Sequence, residues 1–526
     1  MSKKKVVIIG SGFGGLASAC IFGKAGYDVT VIEKNAQFGG RAGLIEVKKD
    51  KSGQWSELPK TNNTKKHGKS STFRFDSGPS WYLMPDVFEH FFDLIGEKPG
   101  KQLDLVRLNP SYQVVFKDTL LGSTKIYGDL EKDAEIFEAF EPQGGRLIKD
   151  YVADASYKYE TAINNFLYKN YDHIGEFINK QMLTEGRKLN ALSNMQKFVS
   201  KWFQSREIQK ILQYPLVFLG SSPYKAPALY SLLSHVDFKQ GVFYPQGGIY
   251  RLTQVLIEIA KKHGVKFVAK TPVEKIVVNG GRAKGVLAGG KEYKADIVVS
   301  NADIKFTDSQ LLDPQYKAYS ERYWRKRVLA PSALLIHLGV KGQYSELNHH
   351  NLVFSRDWDK NFKEIFGKKK FPSDPSFYVC NPNKTDPNVA PKGHENLSVL
   401  VPVSAGVNYD DKKLEDFTEK TLITMEKVLH LKDLRKNIVY RKTYCAKDFE
   451  SDFNSYKGTA LGLAHTLRQT AVFRPNNQHK KIPNLLFAGA NTNPGIGLPM
   501  CLISAELAYK RVINDRSSQP LKTPLS

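Results

Sequence analysis

The sequence predicts an α/β fold organised around a Rossmann-like dinucleotide-binding domain. Three observations carry that prediction. Near the start, a short β-branched run leads straight into "GSGFGG", a G-x-G-x-x-G frame, and then into small and apolar residues at helical spacing. At the end, "LLFAGANTNPGIGLPMCLISAELAYKRVI" repeats the order of strand, glycine-rich turn and amphipathic helix. Between them, strand-like and helix-like stretches alternate, and 526 residues imply two or three compact units.

The first elements each have a mechanical reason. Residues 6–9, "VVII", suit a strand buried on both faces. Gly10 permits the tight turn, Gly12 lets backbone approach a pyrophosphate, and Gly15 lets helix and sheet pack closely; Ser11, Phe13 and Gly14 complete the loop. The helix start offers free N–H groups and positive partial charge to a phosphate. A second strand, "DVTVIEK", runs out through Glu33 and Lys34. Glu33 lies 21 residues beyond Gly12, where a carboxylate can bond both hydroxyls of an adenosine ribose. A structural βαβ unit would also use glycines for turns, but the acid at this distance favours a dinucleotide site. "QFGGRAG" follows, in which Gly39 and Gly40 bring backbone close and Arg41 supplies a fixed positive charge.

Composition sets outer limits. With 41% hydrophobic residues and 11% aromatics, the chain can bury a large core, which excludes general disorder. The formal net charge of +24 suits nucleic acid or an acidic membrane surface, and a basic soluble surface reads the same way. Cys20, Cys380, Cys445 and Cys501 stand far apart, so no metal site and no disulfide framework is expected, and a reducing cytoplasm is the default. "MSKKKVVIIGSGFGGLASAC" imitates a signal peptide, but four glycines interrupt its apolar run. No uninterrupted apolar stretch approaches the ~18 residues of a spanning helix.

Residues 46–73 are polar and basic, a solvated loop or a hairpin with a mobile tip. Helical patterns dominate 129–235. Within them, residues 195–220 mix lysines with Phe198, Trp202, Phe203, Ile211 and Leu212, a pattern shared by an interfacial helix and an ordinary buried one. Two strands around "NGG" and a further strand form a meander after residue 272, followed by "VVSNAD". Residues 304–482 are mixed α/β, with strands expected in "SALLIHLGV" and "NLSVLVPVS"; His349 and His350 read as an exposed loop. In the closing segment, residues 485–490 are a strand. Pro499 opens a helix whose first N–H groups, at Met500 and Cys501, would be free to face a cofactor.

These motifs occur in order: "GSGFGG", "GGRA", "FDSGPS", "YPQGG", "VVSNAD" and "GANTNPGIGLPMCLISAELAYKRV". Together they resemble the carotenoid desaturases of the FAD-dependent carotenoid and amine-oxidase superfamily, and most nearly a bacterial- or archaeal-type phytoene desaturase. Asn493 departs from the family, many members of which have His there.

The resemblance implies FAD, bound also by Gly78, Pro79 and Ser80 near the isoalloxazine, by Val273 at the adenine, and by Asn301, Gly489, Ala490, Gly497, Met500 and Cys501. A helix N-terminus at the flavin's pyrimidine edge would stabilise the reduced ring by roughly 0.3–1 kcal/mol, and up to about 2 when partly buried. The resemblance also makes the FAD-binding domain discontinuous, at 1–110, 241–305 and 483–526. A helical substrate and membrane-associating region would fill 111–240, and a mixed α+β substrate domain 306–482. Hydride would pass from an allylic methylene of a lipophilic polyene to flavin N5, with oxygen or a membrane quinone as final acceptor. A polyene substrate favours the interfacial reading of 195–220 and gives the charge a partner in the inner face of a membrane, with the protein cytoplasmic and peripheral, and no nucleic acid bound. Arg146, after an acidic turn, would be the catalytic arginine. Close alternatives are a 3,4-desaturase, a dehydrosqualene desaturase, a carotene oxygenase or a polyene isomerase; an amine oxidase is more distant.

Overall fold

In β1 (Lys5–Ile9) successive side chains go to opposite faces of a sheet, and from Val6 to Ile9 all are buried. Val6 and Ile8 enter one core with Leu16, Phe22 and Val255, while Val7 and Ile9 enter another with Ile276 and Val286. A strand covered on both faces needs this continuous apolar run. The computed structural model describes residues 3–62, 71–117, 122–177, 190 and 193–525.

The sheet is parallel and five-stranded, and β1 lies at its centre. β2 (Asp28–Ile32) and then Lys266–Val268 lie on one side, Ile297–Ser300 and then Leu485–Phe487 on the other. Its strands thus come from three separated parts of the chain. α1 (Phe13–Lys24), Tyr250–Lys262 and Leu498–Val512 pack on one face, and a three-stranded meander (Val273–Asn279, Arg282–Ala288, Lys291–Lys294) covers the other.

A second sheet has seven strands, in the order Ile438–Tyr444, Ser332–Lys341, His394–Val403, Phe377–Cys380, His350–Phe354, Tyr112–Phe116 and Ser123–Ile126. Its last two strands lie inside the stretch expected to be helical from residue 111. They carry the same β-branched and aromatic residues as the rest of the sheet and extend its edge, which moves the start of the helical region to Leu130.

One open alternative is decided and one further expectation changes. Leu44–Lys49 pairs with Trp55–Glu57, so the polar stretch starts as a hairpin, and Thr72–Asp76 joins it from the other side; residues 63–70 lie outside the described residues. The helices Met195–Trp202 and Arg206–Gln213 are not an interfacial surface. Phe198, Phe203, Ile211 and Leu212 are buried among Tyr151, Phe137 and Leu352. Among the described residues, no helix is long and apolar enough to cross a membrane.

Candidate active site

The carboxyl ends of the parallel strands open into a cavity of about 1550 Å³. Ordinary ligand pockets hold roughly 300–1,000 Å³, so this one has room for two molecules side by side. One end is made of bare backbone. Gly10 adopts φ +87°, and a Cβ on Gly15 would lie 2.2 Å from the Gly10 carbonyl oxygen. A Cβ on Gly12 would meet Asn301 Oδ1 at 2.5 Å. Only glycine lets α1 begin this close to the sheet.

Around that loop the polar groups are fixed from behind. The N–H and hydroxyl of Ser11 both donate to Glu33 Oε2 at 2.8 Å, and the Asn35 N–H donates to Oε1 at 2.8 Å. Glu33 is thereby held on the cavity wall by Ser11 from behind and by the backbone of Asn35 beside it. Asn301 Nδ2 donates to the Ala488 carbonyl at 2.7 Å and ties two strand ends together. Lys34 Nζ donates to the Ser451 carbonyl at 2.7 Å, linking the end of β2 to helix Ala446–Phe453.

Arg41 suits an anion. Its Nη2 donates to Ser455 Oγ at 3.0 Å, its guanidinium sits 5.1 Å over the Phe453 ring, and its Nε is buried without a hydrogen-bond partner among the described residues. Burial pulls the guanidinium below its ordinary value while Asp303 opposes the shift. A buried cation with an unspent donor, beside backbone kept bare by glycine, is complementary to a pyrophosphate. With Glu33 at ribose distance, these residues fit FAD.

Every site residue expected from the sequence lines this cavity except Ser11, Gly15 and Arg146. Ser11 and Gly15 act from behind it. Arg146 is on the solvent side of helix Gly144–Ala162, with its side chain 66% exposed, donating to Gln143 Oε1 and lying 3.6 Å from Asp150; the catalytic expectation for it is therefore not supported. The C-terminal helix begins at Leu498, one residue before Pro499. Its geometry spends the Cys501 N–H on the Gly497 carbonyl, so of the two donors expected to be free Cys501 is not. Burial pushes the Cys501 thiol up to about 12, leaving it a neutral part of the wall.

Three groups that the motifs did not reveal complete the frame. Arg474 is fully enclosed and donates to the carbonyls of Thr492 (2.9 Å), Ala490 (2.5 Å), Leu463 (3.1 Å) and Gln469 (3.3 Å), clamping the C-terminal turn; burial lowers it to about 10. Asp76, in "FDSGPS", accepts from the N–H groups of Ile249 and Tyr250 at 2.9 Å and caps the helix after "YPQGG"; burial raises it to about 6. The third is His350. Together with His349 it is buried at the start of strand His350–Phe354 instead of lying in an exposed loop, because the pair faces Trp81 and Tyr244 inside the molecule. With Cys380, directly opposite His350 on the next strand, the two histidines place metal-ligand atoms within 4.8 Å of one another, a cluster the spacing of the residues in sequence concealed.

Away from the glycine loops the cavity is apolar, walled by Leu83, by Phe218 and Val236 from the helical region, and by Leu335, Phe354 and Leu400 from the seven-stranded sheet. Leu467 and Phe473 line it too, yet are 44% and 47% exposed, which marks its mouth. The acids on its wall, Glu33, Asp303 and Asp452, stand near Arg41 and Lys34 at the dinucleotide end.

A dinucleotide cradle opening into an apolar chamber defines an FAD-dependent oxidoreductase. The chain belongs to the flavin containing amine oxidoreductase family, whose pattern matches residues 13–513, and within it groups with the carotenoid desaturases. It is 41% identical over 519 residues to the carotenoid 3,4-desaturase of Haloarcula japonica, covering 98% of this chain and 99% of that enzyme. To the zeta-carotene-forming phytoene desaturase of Myxococcus xanthus it is 34% identical over 514 residues, covering 97% and 94%. A putrescine oxidase bound to putrescine superposes with a TM-score of 0.60 at 15% identity, covering 98% and 99%, a likeness of fold alone.

Proposed function

We propose that this protein desaturates a long, acyclic carotenoid precursor of the phytoene type, lengthening its conjugated system. The observation that carries this reading is one continuous cavity, with bare backbone and fixed charge at one end and hydrocarbon along the rest. Bound FAD supplies the two-electron oxidant. The protein's own part is to hold an allylic methylene against the flavin and to keep water out, and orientation of this kind accounts for much of such a rate. A carboxylate in the apolar chamber would favour a cationic amine, whereas among the described residues the wall acids cluster at the other end.

The 41% identity to a carotenoid 3,4-desaturase favours a second reading, in which the same chemistry acts on a carotenoid already partly conjugated. In both, the substrate is dissolved in lipid. The exposed Leu467 and Phe473 at the mouth, with Arg468 between them and a net charge of +24, suit peripheral contact with an anionic membrane face, reached from the cytoplasm. Oxygen or a membrane quinone would reoxidise the flavin.

Expression in two carotenoid-producing hosts, one accumulating phytoene and one accumulating lycopene, tests the proposal. New chromophores in the first host support the phytoene reading, and in the second alone the later step. Unchanged pigment in both, from an FAD-loaded protein, overturns the proposal.

A further inference from the structure

A buried side-chain nitrogen without a hydrogen-bond partner is uncommon in a folded protein. His349 and His350 bring two such atoms to one place. Their Nε2 atoms are buried without a partner among the described residues. Nδ1 of His349 lies 2.7 Å from Thr385 Oγ1, and Nδ1 of His350 lies 2.6 Å from Tyr378 OH. Each hydroxyl oxygen can accept an Nδ1–H, which leaves the ring's lone pair on Nε2. A histidine that binds a metal is oriented in this way, by a hydrogen bond from its other nitrogen.

The third member comes from the neighbouring strand. Strand His350–Phe354 runs antiparallel to Phe377–Cys380 and sets His350 opposite Cys380. One nitrogen of each ring and Cys380 Sγ thereby lie within 4.8 Å of one another, on three buried side chains. Burial alone does not make such a group. His337 is also buried with its Nε2 unpartnered, yet among the described residues it belongs to no cluster of three.

The donor set selects the ion. Two imidazoles and a thiolate suit zinc or copper, whereas magnesium and calcium take oxygen. For the fourth place of a tetrahedron hydroxyl oxygens are at hand: Tyr378 and Ser80 turn theirs to the Cys380 thiol, and the two oxygens lie 2.9 Å apart. Oxygen in that place favours zinc over copper(I), which prefers sulfur. Cys380, Tyr378, Ser80 and Tyr244 also border a small cavity of about 30 Å³. Ser80 and Tyr378 line the large cavity as well, which gives an ion a way in past these two side chains.

We propose that His349, His350 and Cys380 bind one zinc ion, which staples the wall of the polyene chamber. The staple joins the start of one strand to the end of its neighbour and closes off the segment between them, residues 351–379. It also fixes two side chains of the chamber. Trp81 stacks on the His350 ring with centroids 4.2 Å apart and planes 7° from parallel, and Tyr378 holds its Nδ1; both line the large cavity. Zinc has no redox chemistry of its own, so the site does not depend on the desaturase reading.

The test uses the FAD-loaded chain, purified without a histidine tag from cells grown with added zinc. Elemental analysis should find one zinc ion per chain, retained through gel filtration. X-ray absorption at the zinc edge should show a sulfur at about 2.3 Å beside nitrogen and oxygen at roughly 2.0–2.2 Å. Cys380→Ser and His349→Gln, with flavin content retained, should each lower the zinc content about tenfold, and His337→Phe should keep it. Cobalt(II) put in place of zinc should give ligand-field bands to the red of the flavin, with a thiolate charge-transfer band that Cys380→Ser lacks. An FAD-loaded wild-type chain free of zinc, a zinc edge without sulfur, or full zinc content in both ligand variants overturns the proposal. Where those variants do not fold, the metal count and the sulfur neighbour of the wild-type chain still decide. Pigment made by the wild-type chain reports the desaturase reading separately.

Discussion

The two ends of the cavity are built on opposite principles. At the dinucleotide end the ligand is met by backbone: glycines keep Cβ atoms away, and Ser11, Asn301 and Arg474 spend buried hydrogen bonds holding loops in place. At the polyene end it is met by side chains, contributed by helices and strands far apart in sequence. Backbone recognition tolerates almost no change, whereas an apolar wall tolerates exchange of one hydrocarbon for another. The flavin end should thus be brittle and the polyene end plastic.

The largest effect should come from Gly15→Ala, which sets a methyl group 2.2 Å from the Gly10 carbonyl oxygen. Overpacking of that kind costs about 1–3 kcal/mol, and flavin retention measured by absorbance at constant dilution should fall roughly 10- to 100-fold. Arg474→Leu is next. It strips four carbonyls of their donor, and an unmatched buried polar group costs about 1–3 kcal/mol, so both melting temperature and flavin content should drop. If either variant keeps its flavin, the brittle half of the comparison fails.

Smaller effects probe the polyene half. Asp237 accepts from Tyr112 OH at 2.8 Å and Tyr214 OH at 3.3 Å inside the helical core, and burial pushes it up to about 7. The folded chain then holds this proton more tightly than the unfolded one, so its contribution to stability is present near pH 4 and is lost as pH rises to 7. Asp237→Asn, which can still accept both hydroxyls, should flatten that part of the melting-temperature profile and raise the melting temperature at pH 8. Phe473→Asp at the mouth should weaken sedimentation with anionic liposomes severalfold while leaving flavin content alone. Arg146→Ala should change nothing beyond about 0.5 kcal/mol in stability, and full turnover in detergent would place the chemistry elsewhere.

The same contrast explains what could be read from the sequence. Gly10, Gly12, Gly15 and Glu33 announce themselves because backbone geometry demands those residues at those intervals. The C-terminal turn was equally legible, apart from the Cys501 N–H, whose loss follows from the helix starting one residue earlier than Pro499 suggested. Tyr378, His350 and Arg474 were not legible, since their partners lie 28 to 298 residues away or are backbone carbonyls without sequence signature. The aromatic and basic stretch at 195–220 misled for a different reason. Its periodicity fits a core helix as well as an interfacial one, and the burial of Phe203 and Ile211 decided between them.

One arrangement also governs how the protein is made. Strand β1, at the centre of the parallel sheet, finds one neighbour only after residue 297 is synthesised, and the strand beyond it only after residue 485. Gly14 waits for Gly489, against which it packs, and α1 waits for Leu502 and Ala505. At ~5–20 residues per second, the first motif written by the ribosome stands incomplete for on the order of half a minute or more. FAD capture is therefore expected only once residues 485–512 have been made, and a chain that lacks the helix Leu498–Val512 should be unable to keep its flavin.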